Sequence, residues 1–232
     1  MSNNDSQRTT KLGRRRLLQS AAASGAMLGV AGCLGGGDGG GDGSGPISVP
    51  GIYDESGGTS DVGRPAAIGS KDTMKYINEN DLLSREVDHP NDDYAYEVPQ
   101  AQQLYQEYTS DGEPPMIIGW GTADTEALSG TVAEDEIVYI SASYSDKLLT
   151  SESPYNFFGN LDYTSQARAH LKWIADNDSG AKIAFIFSNN PFGKSPVEGG
   201  KAYAEELGLE VGSDINLPLT ANSATTQLRQ AK

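Results

Sequence analysis

The sequence predicts an α/β fold in which parallel strands alternate with helices that cover both faces of the sheet. Short apolar runs, which are typical of buried strands, recur along residues 46–232. Between these runs lie stretches whose apolar residues repeat every three or four positions, as they do in amphipathic helices. This alternation favours parallel strands, because parallel neighbours need a long crossover connection such as a helix.

The predicted strands are short, and two of them are well marked. Residues 182–187 are apolar at five of six positions, and residues 116–120 follow Pro114 and Pro115. Prolines before an apolar run separate it from the preceding helix, because the residue before a proline is disfavoured in helical conformation. The full predicted set is residues 47–52, 86–87, 116–120, 137–140, 182–187 and 210–219.

The predicted helices each present one apolar face. Pro65 is expected near the first turn of the first helix, after a turn at residues 54–63, because proline is tolerated at that position. Gly208 is expected to end the last complete helix, because glycine readily adopts the left-handed conformation. The inward residues, helix by helix, are Ala67, Met74 and Ile77; Val98, Ala101, Leu104, Tyr105 and Tyr108; Leu128 and Val132; Ala167, Leu171 and Ile174; and Val197, Ala204 and Leu207.

The sequence ends inside a predicted helix at residues 224–232, with no strand after it. This ending is unusual for an α/β domain, in which a crossover helix leads to another strand. We therefore expect a truncated sequence, and we expect the purified chain to fold loosely and to bind solute weakly.

The chain is strongly acidic, with a formal net charge of −15. Residues 1–32 hold five basic residues and one acid, so the remainder has 12 basic and 31 acidic residues and a net charge of −19. Such a chain would be repelled by nucleic acid, which excludes nucleic-acid binding. The composition is typical of halophiles, because carboxylates resist salting out. An ordinary acidic extracellular protein is the alternative.

The N-terminus carries an export and anchoring pattern. Residues 13–19 resemble a twin-arginine motif, and the apolar stretch at residues 21–31 is too short to span a bilayer. Cys33 is the sole cysteine and follows small residues, as in a lipobox, so we expect a cleaved signal peptide at residues 1–32 and acylation of Cys33. A buried helix with a buried cysteine is the alternative. It would not explain residues 33–45, a glycine-rich stretch that we interpret as a flexible tether.

Three polar turns follow predicted strands, at residues 56–60, 119–125 and 141–146. In parallel sheets, ligands bind at the carboxyl ends of strands, where hydroxyls and N–H groups at helix N-termini suit an anionic group such as a carboxylate. Ordinary helix capping is the alternative for each turn, because serine, threonine and aspartate are preferred there in any case. Two adjacent strands that both end this way favour a binding site.

Nucleotide-binding motifs are incomplete. Residues 119–121 begin a glycine pattern but lack the third glycine of a dinucleotide fingerprint, and residues 56–60 lack the Gly-Lys-Ser/Thr ending of a phosphate loop. The sequence therefore points to no nucleotide cofactor.

Metal and catalytic sites have no support in the sequence. His89 and His170 are far apart in the chain and have no cysteine partner, so a zinc site is not expected. The acidic residues at 92–93 and 134–136 are expected in solvated loops. No nucleophile–histidine arrangement can be argued, so the sequence predicts neither an enzyme nor a cofactor.

Residues 47–232 resemble the type I periplasmic solute-binding proteins of ABC transporters, in their branched-chain amino-acid branch. The resemblance implies two doubly wound parallel-sheet lobes, at residues 46–160 and 161–232, of which the second is incomplete. The stretches that carry it are residues 117–126, 138–145, 149–150, 155–160, 162–166, 182–187, 190–194 and 206–208.

The resemblance also implies a ligand site between the lobes. Thr122 matches a hydroxyl residue that holds the ligand carboxylate, while Ser143 and Ser145 match positions that bind its ammonium and carboxylate groups. Phe192 matches an aromatic residue that covers the ligand. Val62 stands where leucine-binding members place a tyrosine, and the acidic partner of the ammonium lies beyond the end of this sequence.

The function implied by the resemblance is that of an extracellular solute-binding protein. It would deliver an amino acid of the branched-chain type, or a related small solute such as an amide, to ABC permease subunits. Lipidated Cys33 would hold it at the outer face of the cell membrane. A ligand-sensing module of the same fold, such as an amide, urea or amino-acid receptor, is the alternative, and the predicted lipid anchor favours transport.

Overall fold

The computed structural model describes residues 45–110 and 112–231. These residues all fall within Asp42–Lys232, one of the two compact units into which the chain divides. The predicted signal peptide, Cys33 and nearly all of the predicted tether lie outside the described residues.

Strands and helices alternate along the described chain, as the sequence predicts. A short 3₁₀ turn, Asp146–Leu148, follows the third of the long crossover helices and the strand after it. The strands are β1 Ile47–Ser48, β2 Gly51–Tyr53, β3 Val87–Asp88, β4 Asn91–Asp93, β5 Met116–Gly119, β6 Val138–Ser141, β7 Asn156–Phe157, β8 Lys182–Phe187 and β9 Glu210–Asn216. The helices are α1 Ser60–Glu79, α2 Val98–Ser110, α3 Thr122–Asp135, α4 Tyr163–Asn177, α5 Pro191–Lys194, α6 Val197–Glu206 and α7 Thr225–Gln230.

A five-stranded parallel sheet has the strand order β4-β2-β5-β6-β7. Its pairs include Gly51 opposite both Asn91 and Ile118, and Ile117 opposite Tyr139. The order confirms the predicted α/β class with parallel strands. It also creates a switch point between β2 and β5, where crossovers leave in opposite directions and a crevice opens at the carboxyl ends of the strands.

Strands β1 and β3 form a short parallel pair that leads into β2 and β4. Backbone hydrogen bonds continue between the β1–β3 pair and the β2–β4 pair, because the Val49 N–H donates to Asp88 O over 2.8 Å. The Gly51 N–H likewise donates to Pro90 O over 2.8 Å. The ladder is interrupted beside Pro50 and Pro90, since proline has no N–H to donate.

The main core lies between this sheet and helices α2 and α3. Ile52, Ile117 and Tyr139 are completely buried in the sheet. Leu128 and Val132, both predicted to face inward, pack against them from α3. Burying apolar side chains of this size contributes roughly 1.5–3 kcal/mol each, so this face positions the strand ends firmly.

A second layer is formed by the parallel pair β8–β9 with helices α4 and α6. Leu171, Ala204 and Leu209 form its buried centre. The predicted strand at residues 182–187 is confirmed as β8, although most of its side chains are only half buried. Gly208 has φ +73°, so the helix α6 ends as predicted at a left-handed glycine.

The first helix begins earlier than predicted, at Ser60 rather than near Pro65. The buried Asp54 carboxylate accepts the N–H groups of Gly57 and Thr59, which closes the loop and starts the helix sooner. Pro65 therefore lies inside α1, where it removes one intrahelical hydrogen bond.

The prediction that the acidic residues at 92–93 and 134–136 lie in loops is wrong. Asp92 and Asp93 belong to the edge strand β4, where exposed polar side chains are tolerated and no apolar pattern marks the strand. Glu134 and Asp135 form the last turn of α3, and Glu136 caps it with φ 57°. These side chains are nevertheless exposed, as the prediction of a solvated acidic surface requires.

Candidate functional site

A cleft of about 350 Å³ opens at the carboxyl ends of β2, β5 and β6, beside the switch point of the five-stranded sheet. Helices α4 and α5 supply its other wall. All of its lining residues are uncharged, and most are aromatic or apolar. The lining consists of Thr59, Val62, Tyr96, Trp120, Gly121, Thr122, Ala142, Tyr144, Tyr163, Gln166 and Phe192.

The loop after β2 is organised around Asp54, which is completely buried. Its two carboxylate oxygens accept the Gly57 N–H at 2.6 Å, and the Thr59 N–H and hydroxyl at 2.7 and 2.6 Å. The Trp120 indole N–H donates to the Thr59 hydroxyl over 2.8 Å, which holds the indole in place. Two N–H groups of this predicted anion-binding turn are therefore already used within the protein.

The turn after β5 contains a second buried carboxylate. Asp124 is 1% exposed, and it accepts the Gly121 N–H at 3.2 Å and the Tyr94 hydroxyl at 3.0 Å. Burial raises the pKa of Asp124 to about 6, and the nearby charge of Asp54 adds to the rise, although the hydrogen bonds oppose it. The positive end of the α3 dipole thus already faces a carboxylate of the chain itself.

Thr122, predicted to hold the ligand, is the first residue of α3 and lines the cleft. Tyr163, whose ring lines the same cleft, donates its O–H to Ala142 O over 3.3 Å. Burial raises the pKa of Tyr163, so its hydroxyl stays protonated at neutral pH. A hydrogen bond therefore connects the loop after β6 to the start of α4.

Ser143 and Ser145, the other predicted hydroxyl residues, are completely buried in the loop after β6. Ser143 Oγ has no hydrogen-bond partner among the described residues. Ser145 Oγ instead donates to Glu126 Oε1 over 2.7 Å. The residues of this loop that line the cleft are Ala142 and Tyr144, so the two serines do not line it.

Phe192, predicted to cover the ligand, lies in α5 and lines the same cleft as Thr122. Its ring meets Tyr163 edge to face, with centroids 5.5 Å apart and planes 83° apart. Tyr163 in turn packs against Tyr144 at 5.5 Å. Val62 also lines the cleft and is 59% exposed. The structure thus brings Thr122 and Phe192 into one cleft.

Tyr96 enters the cleft from an unusual backbone conformation. Ala95 and Tyr96 both have positive φ, at 53° and 62°, which is rare for residues other than glycine. Asp93 Oδ1 accepts the Ala95 N–H at 2.9 Å and helps to hold this turn. Backbone strain of this kind typically costs about 1–3 kcal/mol and is found at functional sites.

The aromatic character of the cleft was not predicted from the sequence. Tyr96, Trp120, Tyr144 and Tyr163 all line it, but single aromatic residues in a sequence are most often part of a core. The available signal was their position, because Trp120 and Tyr144 follow strands β5 and β6 closely.

The described residues contain neither a group placed to hold a metal ion nor a helix able to cross a membrane. Within residues 45–110 and 112–231, no group of three or more histidine, cysteine, aspartate or glutamate side chains is placed to hold a metal ion. In the same ranges no helix has the length and apolar character needed to cross a membrane.

Several solved structures similar to this chain are described as substrate-binding proteins of ABC transporters. One from Aeropyrum pernix is 38% identical, with a TM-score of 0.74 over 81% of this chain and 50% of that chain. A branched-chain amino-acid ABC transporter protein from Thermus thermophilus, solved with bound valine, is 26% identical, with a TM-score of 0.77 over 80% and 49%. A fatty-acid ABC transporter substrate-binding protein from Thermomonospora curvata is 21% identical, with a TM-score of 0.69 over 80% and 49%, and shows the fold alone.

The chain spans about half the length of these solved relatives. No match was found among curated protein sequences. A family profile described as "Periplasmic binding protein" matches residues 46–232, which is most of the chain. The parallel sheet with its switch-point cleft and this match together lead to one conclusion. The chain belongs to the periplasmic binding protein family.

Proposed function

We propose that this chain is the solute-binding component of an ABC importer and that it holds a small solute in the cleft at the switch point. The observation that carries the proposal is that Thr122 and Phe192 both line one cleft of about 350 Å³. A cleft of this size suits a small molecule, since ligand pockets usually measure roughly 300–1,000 Å³. Family membership supports the same assignment.

The proposed solute is an amino acid of the branched-chain type or a related small molecule. The Thermus thermophilus relative was solved with bound valine, which supports this class. Thr122, Ser143, Ser145 and Phe192 are the proposed ligand-binding residues. The buried and unpaired hydroxyl of Ser143 supports its role, because a buried polar group without a partner costs roughly 1–3 kcal/mol and a bound carboxylate would satisfy it.

The protein is proposed to work at the outer face of the cell membrane. The twin-arginine motif and the lipobox cysteine, Cys33, support export followed by lipid anchoring. The proposed domains are the signal peptide at residues 1–32, the tether at 33–45 and two α/β lobes at 46–160 and 161–232. Permease subunits of the importer are the proposed partners.

Calorimetric titration tests the binding proposal. The protein is expressed from its complete gene and titrated with leucine, isoleucine, valine and small amides. Thr122→Val is expected to weaken binding about tenfold, because it removes one buried hydroxyl from the site. Thr131→Val, at an exposed position of the same helix, serves as the control and should match the wild type. Equal affinities of both variants, or no binding of any solute in the panel, would contradict the proposal.

Membrane fractionation tests the anchoring proposal separately. The wild-type protein is expected in the membrane fraction with a covalently bound acyl chain, detectable by mass spectrometry of the N-terminal peptide. The Cys33→Ala variant is expected in the soluble extracytoplasmic fraction. Membrane association of Cys33→Ala at the wild-type level would rule out anchoring through Cys33.

A further inference from the structure

We infer that the cleft selects a solute with an alkylated ammonium group, such as a betaine, and holds that group against aromatic ring faces. The inference rests on the proposed function, since it concerns the same cleft, and it narrows the class of solute. Three features carry it: aromatic walls, buried negative charge behind an uncharged lining, and lining oxygens that already accept hydrogen bonds within the protein.

The aromatic walls surround the cleft on several sides. Tyr96 and Trp120 line it from the strand ends, Tyr144 from the loop after β6, and Tyr163 and Phe192 from the opposite wall. The rings of Tyr163 and Phe192 stand nearly perpendicular, 83° apart, and Tyr144 is inclined by 56° to Tyr163. Rings that meet at such angles can enclose a rounded cation, and each face attracts positive charge through its quadrupole.

Electrostatics favour the same ligand. None of the lining residues is charged, so no lysine or arginine of the lining is available to neutralise an anion. Asp54 and Asp124 are completely buried behind the strand-end wall. Burial raises the pKa of Tyr96, and the charges of Asp124 and Asp54 raise it further, so their negative potential extends to a ring that lines the cleft. A solute that carries only a carboxylate is therefore disfavoured, and a positive nitrogen is stabilised.

Hydrogen bonding distinguishes alkylated from primary ammonium groups. A primary ammonium has three N–H donors, and each needs an acceptor when water is excluded. Several acceptors of the lining are already in use: Thr59 Oγ1 accepts the Trp120 N–H, and Ala142 O accepts the Tyr163 O–H. A trimethylated nitrogen has no N–H donor, so no hydrogen bond is left unmade when it binds in such a site.

Two pairs of matched solutes test the inference by calorimetric titration of the protein expressed from its complete gene. Glycine betaine and 3,3-dimethylbutyrate have the same shape and carboxylate, but only the first carries a positive nitrogen. Glycine betaine is expected to bind about 30-fold more tightly, the effect of a desolvated cation–π contact. N,N,N-trimethylvaline and valine form the second pair, and the trimethylated member is expected to bind more tightly.

Variants connect the preference to the aromatic walls. Tyr144→Leu and Phe192→Leu are expected to reduce the ratio of the two affinities in the first pair by at least about threefold, because each removes a ring face. Trp173→Leu is the control, since Trp173 is 67% exposed on α4 and does not line the cleft. The ratio reports charge preference specifically, so a general loss of folding or affinity would leave it unchanged.

The outcomes separate the inference from the proposed function. Equal or tighter binding of 3,3-dimethylbutyrate, or tighter binding of valine than of its trimethylated form, would overturn the inference while leaving the solute-binding role intact. An affinity ratio that stays the same in Tyr144→Leu and Phe192→Leu would also overturn it. Failure of every solute in both pairs to bind, together with failure of the amino-acid and amide panel, would overturn the proposed function as well.

Discussion

Asp124 is a buried carboxylate whose structural partners are a backbone N–H and a tyrosine hydroxyl. Its hydrogen bonds to Gly121 and Tyr94 connect the start of α3 to the loop that precedes α2. Those two bonds offset only part of the free energy needed to bury a negative charge. Desolvation therefore raises the pKa of Asp124 to about 6. Asp124 therefore holds the turn in place, but its ionised form lowers the stability of the folded state.

We predict that stability rises as the pH falls from 7 to 5. Between about pH 4 and 6 the folded protein holds a proton on Asp124 that the unfolded chain has released, so lowering the pH from 7 to 5 stabilises the folded state by about 1 kcal/mol. The measurement is the free energy of unfolding by denaturant at each pH. Asp124→Asn is expected to flatten the dependence, while Asp72→Asn, at an exposed position of α1, should retain it.

Two other carboxylates do not interfere in this interval. Burial tends to raise the pKa values of Asp93 and Asp162, but hydrogen bonds from Ser56 and Ser165 and from backbone N–H groups lower them by more. Their stabilising contributions are therefore lost only below the usual carboxyl range. An equal pH dependence in Asp124→Asn and Asp72→Asn would show that Asp124 is not the group responsible.

A second residue-scale prediction concerns two glycines of the same region. A Cβ at Gly121 would collide with Asp124 Oδ1 and the Tyr94 hydroxyl, so Gly121→Ala is expected to destabilise the protein by about 1–3 kcal/mol. Gly130 lies within α3, and a Cβ there would meet no atom within 4 Å, so Gly130→Ala should stabilise it by roughly 0.5–1 kcal/mol. Chemical denaturation measures both changes, and the same sign for the two would refute the explanation.

At the scale of elements, helix α4 connects the second layer to the cleft. Its first residue, Tyr163, donates its backbone N–H to Tyr144 O over 2.8 Å and lines the cleft with its ring. Asp162 caps this helix, and its Oδ1 accepts the Ser165 N–H at 2.8 Å. The cap therefore sets where the helix begins and hence where Tyr163 lies.

We predict that Asp162→Ala destabilises the protein by about 1 kcal/mol, the usual cost of losing an N-cap. The start of α4 should also fray, so the affinity for solute should fall together with stability. Asp162→Asn keeps a capping acceptor and should behave like the wild type. Thermal melting and titration provide the two measurements, and an Asp162→Asn variant as weak as Asp162→Ala would show that the charge, not the cap, matters.

At the scale of the whole molecule, like charges repel one another. The formal net charge of −15 already counts the lysines of exposed ion pairs such as Lys75–Glu79 and Lys172–Asp176, so those pairs leave the excess of acidic residues unbalanced. Each such exposed pair contributes little to the stability of the fold, typically about 0–1 kcal/mol. The remaining repulsion acts against the folded state and is sensitive to salt.

We predict that the melting temperature rises with potassium chloride between about 0.1 and 1 M, because the screening length falls from about 10 Å to about 3 Å. The triple variant Asp72→Asn, Glu134→Gln and Glu205→Gln lowers the formal net charge from −15 to −12 at exposed positions. Its melting temperature should depend less on salt. A slope equal to or steeper than that of the wild type would contradict charge repulsion as the cause.

Features that depend on near neighbours in the chain could be predicted from the sequence. The apolar run of β8, the inward faces of α3 and α6 and the left-handed end of α6 at Gly208 were all predicted correctly. Periodicity and glycine conformation are local properties, so a single sequence reveals them. The alternation of these elements was enough to predict a parallel α/β fold.

Features that depend on distant contacts were decided only by the tertiary structure. Tyr144 and Tyr163 come from different elements and meet in one wall, and Asp124 becomes buried because Tyr94 covers it. Strand β4 has no apolar pattern and forms only because β2 offers it an edge. The physical reason is that burial and side-chain contact are set by packing between elements. The sequence of one element does not specify which partner will cover it, and only the folded chain does.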